Sequence, residues 1–318
     1  MLTYLRRLFG RISSGGSRRF LPALSTAIVL ALVLTACQPA DQTPPDTRHF
    51  VDDLGRTVTI EGIPERIISL SPSNTEILFA LGLGDNVVGV TDWCNYPPEA
   101  LDKDKVGAYD APDIETVLAL SPDLILAAHG LPVETIDILE DLELTVFGIL
   151  STDLNDLLDD IRTVGNITGE QAEADALTSD MAAMIQAIVG ETEQLEHRPK
   201  TFYVIWHDPL FTVGADTFIH ELIEKAGGEN IFADLTGYPI VSIEEVLARD
   251  PEVIITSVWS YDWALNATEL VGVNATATGR IYAVDDDLVQ RPAPRIVQGL
   301  EWFAHFIHPA IFDEPDGD

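Results

Sequence analysis

The chain has 318 residues, with 52 Asp+Glu against 18 Lys+Arg and a formal net charge of −34 at pH 7. Five of those arginines lie within the first 19 residues, which leaves 13 basic side chains to face all 52 acids. Such a surface repels polyanions, which excludes nucleic acid and anionic lipid headgroups as partners, and it suits a saline habitat where salt screens the self-repulsion.

Residues 1–36 read as an export signal. Arg6, Arg7, Arg11, Arg18 and Arg19 form a positive start without an acid, and the apolar run 21–36 is shorter than a comfortable span of ~20 residues. It ends in Leu34-Thr35-Ala36-Cys37, similar to a bacterial lipobox, in which the cysteine is lipidated and becomes the new N-terminus. Residues 37–49 are polar and proline-rich, the composition of an extended tether. About 265 residues remain, enough for two lobes of ~100–150 residues each. With Cys37 lipidated only Cys94 is left, so no intrachain disulfide can form.

Strands are predicted at 58–60 and 67–70, then a helix capped by Ser73 with Glu76 three residues on, stopping at Gly82 and Gly84. A strand at 87–90 and a loop at 108–112 lead to Ile-Glu-Thr-Val-Leu-Ala-Leu-Ser-Pro-Asp-Leu-Ile-Leu at 114–126. That phrase returns at 243–255 as Ile-Glu-Glu-Val-Leu-Ala-Arg-Asp-Pro-Glu-Val-Ile-Ile, and a glycine-ended helix precedes each copy. Each reads as a short helix, a proline stop and a buried strand, so two lobes on one plan are expected, with a cleft between them. After the first copy come a helix at 133–142, a strand at 145–149 and a helix at 154–164. Segment 169–196 keeps a helical apolar period for ~40 Å and reads as a rigid strut. The second lobe reads as strand 201–206, helix 218–226, the second copy with strand 253–258, strand 281–284 and helix 301–308.

The expected fold is therefore α/β: two similar lobes, each a mostly parallel sheet flanked by helices, joined by one long rigid helix. The boundaries are an N-terminal lobe at 50–166, the connecting helix at 167–198 and a C-terminal lobe at 199–318. In such sheets ligands bind beyond the carboxyl ends of the strands. The loops there carry Trp93, His129, Trp206, His207 and Trp259, an aromatic set that suits a concave ligand site. His129 and His207, at equivalent strand ends of opposite lobes, have the chemistry to ligate a metal centre, or to act as hydrogen-bonding polar groups. His305 and His308 read as structural. No cluster of metal ligands, nucleophile elbow or phosphate loop can be assembled, so neither a resident cofactor nor an enzymatic reaction is expected. Cys94 has no neighbour in sequence that would activate it. Glu115 and Glu244 occupy one position in the two repeats, as two knobs for a two-fold partner or as favourable charges at helix N-termini.

The segments 68–76, 88–98, 227–232 and 291–296, with the two repeats, resemble the periplasmic cobalamin-binding protein family, within the larger group serving iron-siderophore and cobalamin ABC importers. The resemblance covers residues 65 to 300. It implies two lobes joined by a long helix, and it matches Glu115 and Glu244 to glutamates that dock into arginine pockets of a permease dimer with its cytoplasmic ATPase. It also implies aromatic contacts to a corrinoid at Trp93, Tyr109 and Tyr238, and polar contacts at Asp287 and Arg291. One family tryptophan falls at Ala128, and the disulfide of some members is absent. The implied protein is a monomeric, lipid-anchored, extracytoplasmic binding protein for cobalamin or a related corrinoid. An iron-siderophore or haem binder on the same fold is the main alternative. An enzyme using His207 and Cys94, or a sensor lipoprotein, is the alternative of another class.

Overall fold

A computed structural model describes residues 46–315. The expected signal peptide at 1–36, Cys37 and most of the tether lie outside the described residues. Within the stretch expected as tether, Thr47–Val51 (β1) is already a strand, paired antiparallel with Thr57–Glu61 (β2) so that Phe50 faces Val58. The folded part thus starts before residue 50. The β2 strand alternates buried and exposed residues, and its apolar face, Val58 and Ile60, joins the core.

The N-terminal lobe is a parallel sheet of Ile67–Ser69 (β3), Val87–Val90 (β4), Asp104–Lys105 (β5), Leu124–Ala127 (β6) and Val146–Gly148 (β7), in the order β5-β4-β3-β6-β7. Its central strands are buried throughout, because helices cover both faces. The C-terminal lobe follows the same plan. It consists of Lys200–Val204 (β8), a small hairpin of Trp206–His207 (β9) with Leu210–Phe211 (β10), then Glu229–Asn230 (β11), Val253–Ser257 (β12) and Ile281–Val284 (β13). Its sheet order is β11-β8-β12-β13, all parallel. The hairpin cuts the strand expected at 201–206 into two, with Ile205 bonded back to Phe211 O.

The repeated phrase is one structure twice. Helices Ile114–Ala119 and Ile243–Arg249 are capped by Asp113 and Ser242, and each is followed by a residue of positive φ directly before proline: Ser121 at 47° and Asp250 at 50°. The expected strut is a single helix, Gln171–Thr192, somewhat shorter than the segment 169–196. Leu154–Thr168 runs on past residue 164 and ends at Gly169 in the left-handed region, and Gln171–Thr192 then turns back alongside it. The strut helix joins the lobes through its packing. Met181, Ile185 and Ile188 belong to one core cluster with Ile77 and Leu157 of the first lobe and Leu222 and Phe303 of the second.

Two helix starts differ from expectation. Ser71, not Ser73, caps the helix Pro72–Ala80 by accepting from the Asn74 N–H at 3.1 Å, because Pro72 with its fixed φ takes the first helical position. Glu76 is then too far along to close a capping box and is free to point elsewhere. The last helix begins at Ile296, not residue 301. Gly299 lowers helix propensity there, but the helix crosses the Leu288 carbonyl so closely that a Cβ would lie 2.4 Å from its oxygen.

Candidate ligand cleft

All nine candidate ligand residues sit beyond the carboxyl ends of parallel strands. Trp93 follows β4, Tyr109 follows β5 and His129 follows β6. Trp206 and His207 form β9 just past β8, Tyr238 lies in the loop after β11, Trp259 in the turn after β12, and Asp287 and Arg291 after β13. Trp93 is 64% exposed and Trp259 74%, large apolar surfaces held in solvent when each lobe has a core to receive them. The Tyr109 ring lies on the backbone next to His129: a Cβ at Gly130 would sit 2.7 Å from it. His129 Nε2 is 3.1 Å from the Leu150 carbonyl, which, having no proton, makes that nitrogen the donor. His207 is clamped between rings, stacked on Trp263 at 5.4 Å and beside Trp206 at 5.0 Å, with Nδ1 3.2 Å from Ser260 Oγ.

The strand ends of the two lobes meet through a charged network. Glu76, its side chain 2% exposed, accepts from Arg295 Nε at 2.8 Å and Nη2 at 2.7 Å, and from Arg291 Nη1 at 3.2 Å. Arg291 also donates to Asn95 Oδ1 at 2.7 Å and pairs with Asp287 at 2.7 Å, while Asn95 Nδ2 donates to Asp287 Oδ2 at 3.2 Å. The Arg295 guanidinium lies 3.7 Å from the Tyr96 ring centroid. Burial works against the charge of Arg295, yet its bonds to Glu76 push its pKa up. Glu221 accepts the Leu154 N–H at 2.9 Å, a second contact between lobes.

Arg291 and Asp287 are therefore satisfied by each other and by the opposite lobe. Reading from sequence missed Glu76, Asn95, Tyr96 and Arg295. A signal was present in the two arginines four apart in Arg291-Pro292-Ala293-Pro294-Arg295, but their partner lies more than 200 residues away.

The remaining candidates are structural or stand apart. Cys94 is fully buried, its sulfur 3.1 Å from the hydroxyls of both Thr75 and Thr91. His305 and His308 reach the carbonyls of Phe312 and Gly227. Glu115 and Glu244 are exposed at the second position of their helices. Among the described residues no group of three or more His, Cys, Asp or Glu is placed to hold a metal ion, and no helix is long and apolar enough to cross a membrane.

Two parallel α/β lobes that share a core and meet at the carboxyl ends of their strands have the architecture of a two-lobed solute-binding protein. The sequence profile of the family described as "Periplasmic binding protein" matches residues 67–288, and the chain belongs to that family. It is 32% identical over 304 residues to an uncharacterized ABC transporter substrate-binding lipoprotein of Bacillus subtilis, covering 90% of this chain and 96% of that one. It is 31% identical to the cobalamin-binding protein of Halobacterium salinarum, over 89% of this chain and 84% of the other. The crystal structure of the vitamin B12-binding protein of Vibrio cholerae superposes with a TM-score of 0.69 at 31% identity, over 78% of this chain and 98% of that one.

Proposed function

We propose that this protein captures cobalamin or a related corrinoid in the cleft between its lobes and delivers it to a two-fold permease with its ATPase, held at the membrane by a lipid on Cys37. The family is one of periplasmic binding proteins. One observation carries the choice of ligand. Arg291 is the only permanently cationic candidate in the cleft, and Arg295 the only other arginine of the network. Glu76 and Asp287 match the charge of both. An anionic siderophore or the propionates of haem need unmatched cations. A large, weakly charged ligand needs exposed aromatic faces, which Trp93, Tyr109, Trp206, Tyr238 and Trp259 provide.

Calorimetric titration with cobalamin, cobinamide, haem and a ferric siderophore tests this reading. Micromolar or tighter binding of a corrinoid is expected. Binding of haem or of the siderophore, with none of either corrinoid, would overturn it.

A further inference from the structure

We propose that Glu76 is the positioning residue of the ligand cleft: by gripping Arg291 and Arg295 of the opposite lobe it sets the spacing of the two aromatic walls and so the residence time of the ligand. The inference rests on the corrinoid reading for its ligand, though not for its geometry.

Glu76 belongs to the helix that follows β3, and both arginines belong to the segment that follows β13. Its carboxylate, almost without solvent, receives three bonds from two guanidinium groups. A buried carboxylate without those cations would face a large desolvation cost, so the lobes cannot part at this point without stranding the charge. Arg295 supplies the two-pronged contact, whose planar geometry fixes orientation as well as distance. The same guanidinium covers the Tyr96 ring, and Arg291 holds Asn95. Both of these residues lie in the loop that carries Trp93. The second lobe therefore grips the Trp93 loop directly, and Asp287 closes the chain through Asn95. Movement at Glu76 is passed to one aromatic wall and to the polar pair beneath it. Arg291 and Asp287 are themselves candidate polar contacts to a ligand, whereas Glu76 reaches it only through them and through the Trp93 loop.

The test uses Glu76→Gln, Arg295→Gln and the double variant in a chain with Cys37→Ser. Spin labels placed at Glu134→Cys and Glu269→Cys, one exposed site per lobe, report lobe spacing. Buried Cys94 is protected from the label. In the ligand-free protein Glu76→Gln is expected to broaden the distance distribution. With cobinamide it should speed dissociation about tenfold or more and leave the association rate within about twofold. The double variant should fall well short of the product of the two single effects, because both substitutions break the shared Glu76–Arg295 contact. A plain structural staple would lower the melting temperature and leave the dissociation rate and distance distribution as they were, which would overturn the proposal. Multiplicative effects in the double variant would also overturn it. If Glu76→Gln does not fold, Arg295→Lys keeps the charge, removes the two-pronged contact and is read in the same way. If cobinamide binds to no variant, wild type included, the corrinoid reading falls, and the ligand-free distances still decide the role of Glu76.

Discussion

Burial pushes the Asp160 carboxyl up to about 7; its bond with Ser151 Oγ works the other way, and the nearby charges of Asp53 and Asp156 add to the rise. The unfolded carboxyl titrates near the ordinary aspartate value of 3.8. Between those limits the folded state holds a proton that the unfolded state has released, so stability is fully present below about pH 4 and is lost as pH rises to about 7. Expressed as energy the span is at most roughly 4 kcal/mol. Asp160→Asn should flatten that part of the stability curve, measured by chemical denaturation between pH 4 and 8 at fixed salt. An unchanged slope would place the proton elsewhere. The exposed aromatics invite the opposite pairing of effects. Trp259→Ala removes a side chain that touches solvent more than core, so melting should shift little. Corrinoid affinity should fall about tenfold, corresponding to ~1.4 kcal/mol of lost stacking and burial. Loss of stability without loss of affinity would make Trp259 a packing residue.

The repeat is the element most legible in the chain. Its pattern of short helix, proline and apolar strand recurs with the same positive-φ residue before each proline. The strand ends were legible through the apolar runs that lead to them, and the aromatic loops followed. What escaped was set by contacts between distant segments. The hairpin Trp206–His207 with Leu210–Phe211 interrupts an apolar run that looks continuous, and the capping pattern Ser-x-x-Glu reads alike at Ser73–Glu76 and Ser242–Glu245. Only the second closes a capping box; at the first, Pro72 moves the cap back to Ser71 and releases Glu76 to the other lobe. Local pattern cannot report a partner 219 residues away. On the two repeat helices the glutamates Glu115 and Glu244 project into solvent at equivalent places, as a two-fold docking pair requires. Glu115→Lys with Glu244→Lys should abolish uptake in cells and leave corrinoid affinity within about twofold, since exposed ion pairs give register more than ligand contact. A parallel fall in affinity would tie these residues to the cleft and not to docking.

Across the whole molecule two features act against each other. One apolar cluster runs from the first lobe through the helix Gln171–Thr192 into the second, and the Glu76 network adds a charged contact between the lobes, so they resist separation. The surface pulls the other way. With 52 acids against 18 bases along the chain, like charges lie close over most of the exterior, and their repulsion is relieved by any expansion. Salt tips that balance because the screening length falls from ~10 Å at 0.1 M to ~3 Å at 1 M. At the lower concentration neighbouring carboxylates still repel; at the higher one they do so only when nearly in contact. The melting temperature should therefore climb steeply with KCl over this range and flatten above it. The network at Glu76, buried and shielded from salt, should hold the lobes in place throughout, so the radius of gyration of the folded protein should change little on adding either salt or cobinamide. Differential scanning calorimetry and small-angle scattering on the same samples separate these effects. Sorbitol at matched osmolality is the control, since it strengthens burial without screening charge. If sorbitol raised the melting temperature as far as KCl does, compaction by an excluded solute would explain the rise and charge screening would not.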